Sequence, residues 1–301
     1  MISLDYLRSI SCKDWNGHSH TEFCPHGEIL DTEDMIKRAI DDGFKTYSIT
    51  EHFPMPPQFY QMARGAEHAI DTAAMDYSEL PAYFAKMDYL KRKYADKINI
   101  LVGFEVDYID GCQEWTKSQL FKFADQIDDA ILSVHFLPTN DGLRSVDDSY
   151  QDFCDGVLNY YRTPVNVANR YLETVLEALK WEFDCKPVRY GHVTLYRRWR
   201  KNFSPETVWA DDQTNKLLDK ILKRVCKQNL MLDCNMSGLG KYSQGESSPS
   251  LPILESAMAR DITLVYGSDA HEIDNIDQGY NEYLIQQLYK TKEHHEINSA
   301  R

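Results

Sequence analysis

The 301-residue chain holds 33 basic against 47 acidic residues, a formal charge of −14, which disfavours nucleic acid or an anionic membrane as a partner. Its 43% hydrophobic and 27% charged residues are those of a soluble globular protein, and no apolar run approaches the roughly 20 residues of a membrane span. A small anionic substrate stays compatible with the acidic balance, because bound metal reverses the local field.

Seven scattered cysteines without a CxxC pair predict reduced thiols rather than a disulfide framework. The N-terminus, MISLDYLRSISCKDWN, lacks the basic and apolar regions of a signal peptide, so the expected location is the cytoplasm. With no internal repeat, low-complexity tract or flexible linker, residues 1–301 are read as one domain.

The first apolar segment, around 14–20, ends in Asn16-Gly17-His18-Ser19-His20. Residues two apart on a strand point to one face, so His18 and His20 can grip one ion. Cys24-Pro25-His26-Gly27 follows in the next loop and can return His26 to the same rim. Cys24 is read as an unliganded thiol, since its neighbours already supply nitrogen donors. Thr32–Asp42 then carries Met35, Ile36, Ala39 and Ile40 on one helical face and stops at Gly43. A strand around 45–51 ends at His52, and the connection 53–78, with Pro54, Pro56, Pro57, Tyr60 and Arg64, suits a lid.

A helix over Leu80–Tyr94 leads to a strand around 98–106, whose apolar run is broken by Glu105. A buried carboxylate is costly unless paired or metal-bound, and a bidentate one can bridge two ions; Asp107, two residues on, is the alternate candidate. The segment 129–136 ends at His135, and a long connection follows over 137–165. Helical spacing over Val165–Phe183 precedes a strand around 188–193 that contains His192. A helix over Gln213–Gln228, a strand around 230–235, a connection over 236–250 and a helix over Leu251–Arg260 come next. The last strand, around 262–268, is followed at once by Asp269 and His271.

Seven buried strands alternating with helices predict an α/β fold, and ligands spread over nearly all strand ends favour a distorted barrel over an open sheet. Of ten histidines, seven fall at strand ends or in the first loops beyond them; His68, His294 and His295 are read as surface residues. Independent structural histidines would scatter over helices as well, so the joint pattern predicts a multinuclear metal site at the C-terminal ends of the strands.

Taken together, HxH, TEH, the third-strand Glu, SVH, GH and the terminal SDAH resemble the polymerase-and-histidinol-phosphatase (PHP) family, and CPHG is most similar to its histidinol-phosphate phosphatase branch. The resemblance runs from about Asp14 to His271. It implies a distorted (β/α)7 TIM-like barrel holding three divalent metal ions. In the family pattern, His18, His20, Glu105 and Asp269 hold the first ion. Glu105 bridges to a second, also held by His135 and His192, and His26, His52 and His271 hold the third. Three divalent ions against two carboxylates leave an excess of about +4, suited to a hydroxide and a phosphate dianion. Some members of the family place an acidic residue two positions after the GH histidine, where this chain has Thr194.

The implied activity is that of a metal-dependent phosphomonoesterase converting L-histidinol phosphate to L-histidinol and phosphate in histidine biosynthesis. A metal-bridging hydroxide is the nucleophile, and Glu105, Asp269 and His271 act through the metals. No P-loop, GxSxG elbow or Cys-x5-Arg loop offers another route. Zinc, iron, manganese and cobalt all suit such donors. Arg197 and Arg198, just after His192, are the candidate phosphate contacts, with Arg197 the expected one, and Tyr60, Tyr108, Tyr196 and Glu246 are candidates for the imidazole and ammonium. The alternatives are a phosphoesterase of the same family acting on a nucleotide or phosphotyrosine, and a non-catalytic metal-binding module.

Overall fold

The computed structural model describes residues 2–27 and 31–286; His294 and His295 lie outside them. Seven parallel strands close into a barrel in sequence order: β1 (Trp15–Asn16), β2 (Thr46–His52), β3 (Asn99–Asp107), β4 (Asp129–Ser133), β5 (Arg189–Tyr190), β6 (Met231–Asn235) and β7 (Thr263–Gly267). β7 returns to β1 through Asn16 beside Tyr266, which closes the ring. Helices fill every gap between consecutive strands: Thr32–Asp41, Leu80–Lys93, Gln113–Lys122, Pro164–Lys180, Asp212–Lys227 and Leu251–Met258. Their starts follow local chemistry. Asp31, Thr163 and Asp211 each accept a backbone N–H of the first turn through the side chain. Among the described residues, no helix is long and apolar enough to cross a membrane.

The alternation along β3 shows how the barrel sorts its residues. Ile100, Val102, Phe104 and Val106 join the main core between strands and helices, so Leu101, Gly103, Glu105 and Asp107 face the barrel axis. Trp15, Leu101, Met231 and Val265 pack together with Leu7 of the N-terminal helix Leu4–Ser9 and plug one end. Also fully buried inside is the ion pair of Arg189 with Asp129. Arg189 donates to the Gly17 carbonyl and lies over the Trp15 ring at 5.1 Å. A Cβ on Gly17 would come within 2.0 Å of the guanidinium, which explains glycine immediately before His18.

Two expectations change in the structure. The fourth strand stops at Ser133, short of the predicted 136. Phe136–Pro138 instead pairs antiparallel with Leu143–Ser145, and this hairpin is tied to the barrel where the Val146 N–H bonds to the His135 carbonyl. The connection 53–78 is also more structured than a simple lid. It folds into short helices at Phe59–Met62 and Glu67–Asp71 and bonds to the hairpin through Arg64 N–H and the Leu143 carbonyl. Tyr60 is half exposed against Phe59 and Arg64 bonds to neighbouring carbonyls. The Glu67–Asp71 helix, through His68 and Ala69, and the following Thr72 and Ala73 border the central cavity.

Candidate metal centre

Barrel register brings the donors together before any ion is considered. His52 lies directly beside Glu105 in the β2–β3 pairing, and neighbouring residues in register point to one face. Beyond the ends of β1 and β7, Ser19 bridges to Ala270 and the Asp269 N–H bonds to the His18 carbonyl. That contact draws His18, His20, Asp269 and His271 to one corner of the rim. Asp269 has φ of 51°, in the left-handed region that Asp tolerates better than most residues. Asn235 and Ser237 hold its second oxygen at 3.2 and 3.1 Å.

Glu105 stands at the centre. Its Oε2 lies 3.3 Å from His18 Nε2, 3.7 Å from His20 Nε2 and 3.3 Å from His52 Nδ1. Its Oε1 lies 2.8 Å from His192 Nε2 and 3.7 Å from His135 Nε2, and accepts the Ser133 hydroxyl. Asp269 Oδ1 is 3.1 Å from His20 Nε2 and 3.6 Å from His18 Nε2. Donors around a tetrahedral ion at about 2.1 Å are separated by roughly 3.4 Å, so these spacings match a metal's coordination edges. His18 Nε2, His52 Nδ1 and Glu105 Oε2 are buried around one point, and none has a hydrogen-bond partner. A buried donor set left unsatisfied is costly, and divalent cations held by the cluster would satisfy these atoms.

The structure therefore gathers the first two expected groups: His18, His20, Glu105 and Asp269 on the Oε2 side, Glu105, His135 and His192 on the Oε1 side. The third is more open. His26 and His271 approach through their Nε2 atoms at 3.1 Å, while His52 turns its Nδ1 toward Glu105 and its ring lies 4.9 Å from that of His26. Cys24 Sγ also falls within 4.8 Å of donor atoms of His20, His52 and His271. Burial, with Glu51 nearby, pushes its thiol well above the ordinary range, which keeps it protonated in the arrangement as it stands. None of the seven cysteines forms a disulfide.

A ring of acceptors orients the imidazoles. His18 Nδ1 meets Asp233 at 2.8 Å, His20 Nδ1 meets Glu51 at 3.3 Å, and His135 Nδ1 meets Asp107 at 3.0 Å. His26 and His271 use Nδ1 on the carbonyls of Thr72 and Asp269. Such contacts fix the tautomer that presents the other nitrogen to an ion. Asp107, the alternate ligand by sequence, serves His135 in this way, although its oxygens also lie near donors of His52 and His135. Glu51 and Asp233 were not picked out by sequence reasoning. The signal was there, in an acidic residue within each of the buried runs TYSITEH and MLDCN.

The field of these carboxylates makes the site hungry for positive charge. Burial opposes protonation of His18, yet Glu105, Asp233 and Asp269 hold its pKa well above the ordinary value. Against the same opposition from burial, Asp269 and Glu51 raise His20 to about 9, and Asp107 and Glu105 raise His135. Burial together with the charge on His20 pushes His52 and His271 down, and burial lowers His26. Burial would raise Glu105 and Asp269, but the surrounding histidines keep both ionised. Cations that bind here displace protons.

The cluster floors a cavity of 510 Å³, a size suited to a small ligand. Its rim holds Phe136, Asp147, Asp148, Arg198, Lys241 and His68. His68 is exposed, as expected, and its Nδ1 lies 3.0 Å from Asp148. The expected phosphate contact, Arg197, is turned away and paired with Glu246. The two residues follow one another out of a tight 3-10 turn, Leu195–Arg197, so their side chains diverge and Arg198 takes the cavity side. Nor do Tyr60, Tyr108, Tyr196 or Glu246 border the cavity: Tyr108 packs near Trp181, Tyr196 near Tyr171, and Glu246 holds Arg197 and Arg200. Thr194 is buried and bonds to Ser248, so no acid stands there.

The chain is similar to known proteins over most of its length. The family model described as PHP domain matches residues 16–237. The histidinol-phosphatase of Bacillus subtilis (strain 168) is 30% identical over 270 residues, covering 89% of this chain and 97% of the relative. A crystal structure of a candidate histidinol phosphatase from Listeria monocytogenes superposes with a TM-score of 0.87 at 38% identity, over 89% of this chain and 99% of its own. The histidinol phosphate phosphatase of Lactococcus lactis subsp. lactis Il1403, solved with zinc, L-histidinol and phosphate, shares the fold with a TM-score of 0.64 at 22% identity, covering 91% of this chain and 93% of its own.

Proposed function

Because the chain belongs to the PHP domain family, we propose that it is a metal-dependent phosphomonoesterase hydrolysing L-histidinol phosphate to L-histidinol and phosphate. The observation that carries the metal reading is Glu105, one carboxylate shared by five imidazoles, with buried donor atoms that nothing else satisfies. The substrate reading rests on the near full-length similarity to the Bacillus histidinol-phosphatase. A role in histidine biosynthesis, in the cytoplasm, follows from that substrate.

The ligand assignment is three divalent ions: one on His18, His20, Glu105 and Asp269, one on Glu105, His135 and His192, one on His26, His52 and His271. Zinc, iron, manganese and cobalt all suit these donors. Bound there, the ions supply charge neutralisation for the phosphate and a hydrolytic nucleophile near neutral pH. The chain contributes the remainder. Glu105, anchored by Ser133, holds two sets of donors in fixed relation, and Asp269 is braced by Asn235 and Ser237. Arg198, in place of Arg197, faces the cavity to receive phosphate oxygens, with its planar fork suited to them. The hairpin and the Glu67–Asp71 helix wall the cavity and limit water.

Phosphate release from metal-analysed protein, compared across L-histidinol phosphate, mononucleotides, phosphotyrosine and p-nitrophenyl phosphate, tests the reading. The expected kcat/KM for L-histidinol phosphate exceeds the others by about a hundredfold, or roughly 2.7 kcal/mol of selective transition-state binding. Equal rates across the panel would overturn the substrate, and no release from metal-loaded protein would overturn the activity.

A further inference from the structure

Three carboxylates outside the ligand set border the cavity: Asp147, Asp148 and Glu272. Asp148 meets His68, and Glu272 accepts an amide N–H from Asn275. Asp147 is different. Among the described residues it has no cation within ion-pair distance, and its carboxylate receives only a long hydrogen bond, 3.4 Å, from the Ser145 hydroxyl. It is half-buried, and its field reaches His26, His135 and Arg198. The hairpin Phe136–Pro138/Leu143–Ser145 delivers it, pinned at Val146 to the carbonyl of His135.

Arg198, which lines the same cavity, is in the mirror situation. It bonds to the Ser243 hydroxyl and lies over the Trp199 ring at 4.4 Å, but no carboxylate of the described residues pairs with it. An acid and a base that border one cavity without forming an ion pair fit a ligand carrying both charges. Divalent ions on the floor make the deep end cationic, so phosphate settles there and an ammonium is driven to the rim.

On the basis of the phosphatase reading above, we propose that Asp147 binds the ammonium group of the substrate and sets the preference for amino-bearing phosphate esters. Asp147 thereby acts in specificity, with Asp148 and His68 flanking it.

The test compares wild-type holoenzyme with Asp147→Asn on two esters, L-histidinol phosphate and imidazolylpropyl phosphate, which differ only in the amino group. A charge-assisted hydrogen bond of this kind is worth roughly ten- to a hundredfold. Asp147→Asn is expected to lose kcat/KM on L-histidinol phosphate at least about tenfold further than on the amino-free ester, mainly through KM. Calorimetric binding of L-histidinol should weaken in parallel, and Asp147→Glu should restore part of both. An equal fall on the two esters, or an amino-group preference that survives Asp147→Asn, overturns the assignment. A wild-type enzyme with no preference for L-histidinol phosphate over unrelated phosphates defeats instead the substrate reading on which it rests.

Discussion

At the scale of single residues, Glu105 is the point of greatest leverage. It is buried among His18, His20, His52, His135 and His192, and its ionisation is set by them. Glu105→Gln keeps the volume and removes the charge. It should lower kcat for phosphate release by roughly a hundred- to thousandfold, the scale on which one group stabilising transition-state charge acts. Circular dichroism should remain native; near-normal turnover would refute the bridging role. Asp233 offers a subtler probe, because it touches His18 rather than an ion. Asp233→Asn should weaken metal binding by roughly ten- to a hundredfold, measured by competition with a chelator of known affinity. The contrast between Arg197 and Arg198 belongs to this scale too. Sequence proximity to His192 pointed at the pair, and only the turn geometry separated them.

At the scale of elements, the barrel strands do two jobs at different heights. Their lower inward positions fill the interior, and their C-terminal ends carry the chemistry, as expected for a parallel barrel. The Arg189–Asp129 pair sits within the filled part, linking β5 to β4 and reaching the Gly17 carbonyl. Burying such a pair gives little net stability, but removing one partner strands the other charge. Asp129→Ala is therefore expected to cost about 3–5 kcal/mol in urea unfolding; a change below about 1 kcal/mol would show the guanidinium finding other partners. β3 meets a tighter limit at Gly103, where a Cβ would fall 1.7 Å from the Asp129 carbonyl oxygen. Sequence reading carries the fourth strand on to 136 because Val134 and Phe136 continue its apolar run past Ser133. Phe136 is buried instead in a cluster with Met55, Phe59 and Ala63 of the 53–78 connection.

At the scale of the whole molecule, the metal centre couples to folding through protons. In the metal-free protein His20 titrates at about 9, above the ordinary 6.5. A raised histidine contributes stability that is full below the unfolded pKa and lost as pH rises through the folded one. His18 and His135 are shifted in the same direction. Metal-free protein should consequently lose Tm between about pH 7 and 9. Metal affinity should rise over that window as fewer protons must leave. Scanning calorimetry with and without a chelator should show a Tm gap that widens toward pH 9. A gap that narrows would mean the histidines are not the groups displaced.

Much of this protein was legible in its sequence because the signals were local. Strand ends announce themselves by polar residues after apolar runs, and the helices by their period and stops. Thus Thr32–Asp41 and Leu80–Lys93 arise where spacing placed them, and the histidines that end the strands converge as the barrel closes. Connections and orientations were not legible in that way. The direction of Arg198, the freedom of Asp147, and the service of Asp233 and Glu51 to His18 and His20 depend on which chains meet at the rim. Periodicity encodes the face a residue takes relative to its own element. The partner it meets across the barrel is decided only when register, closure and turn geometry act together.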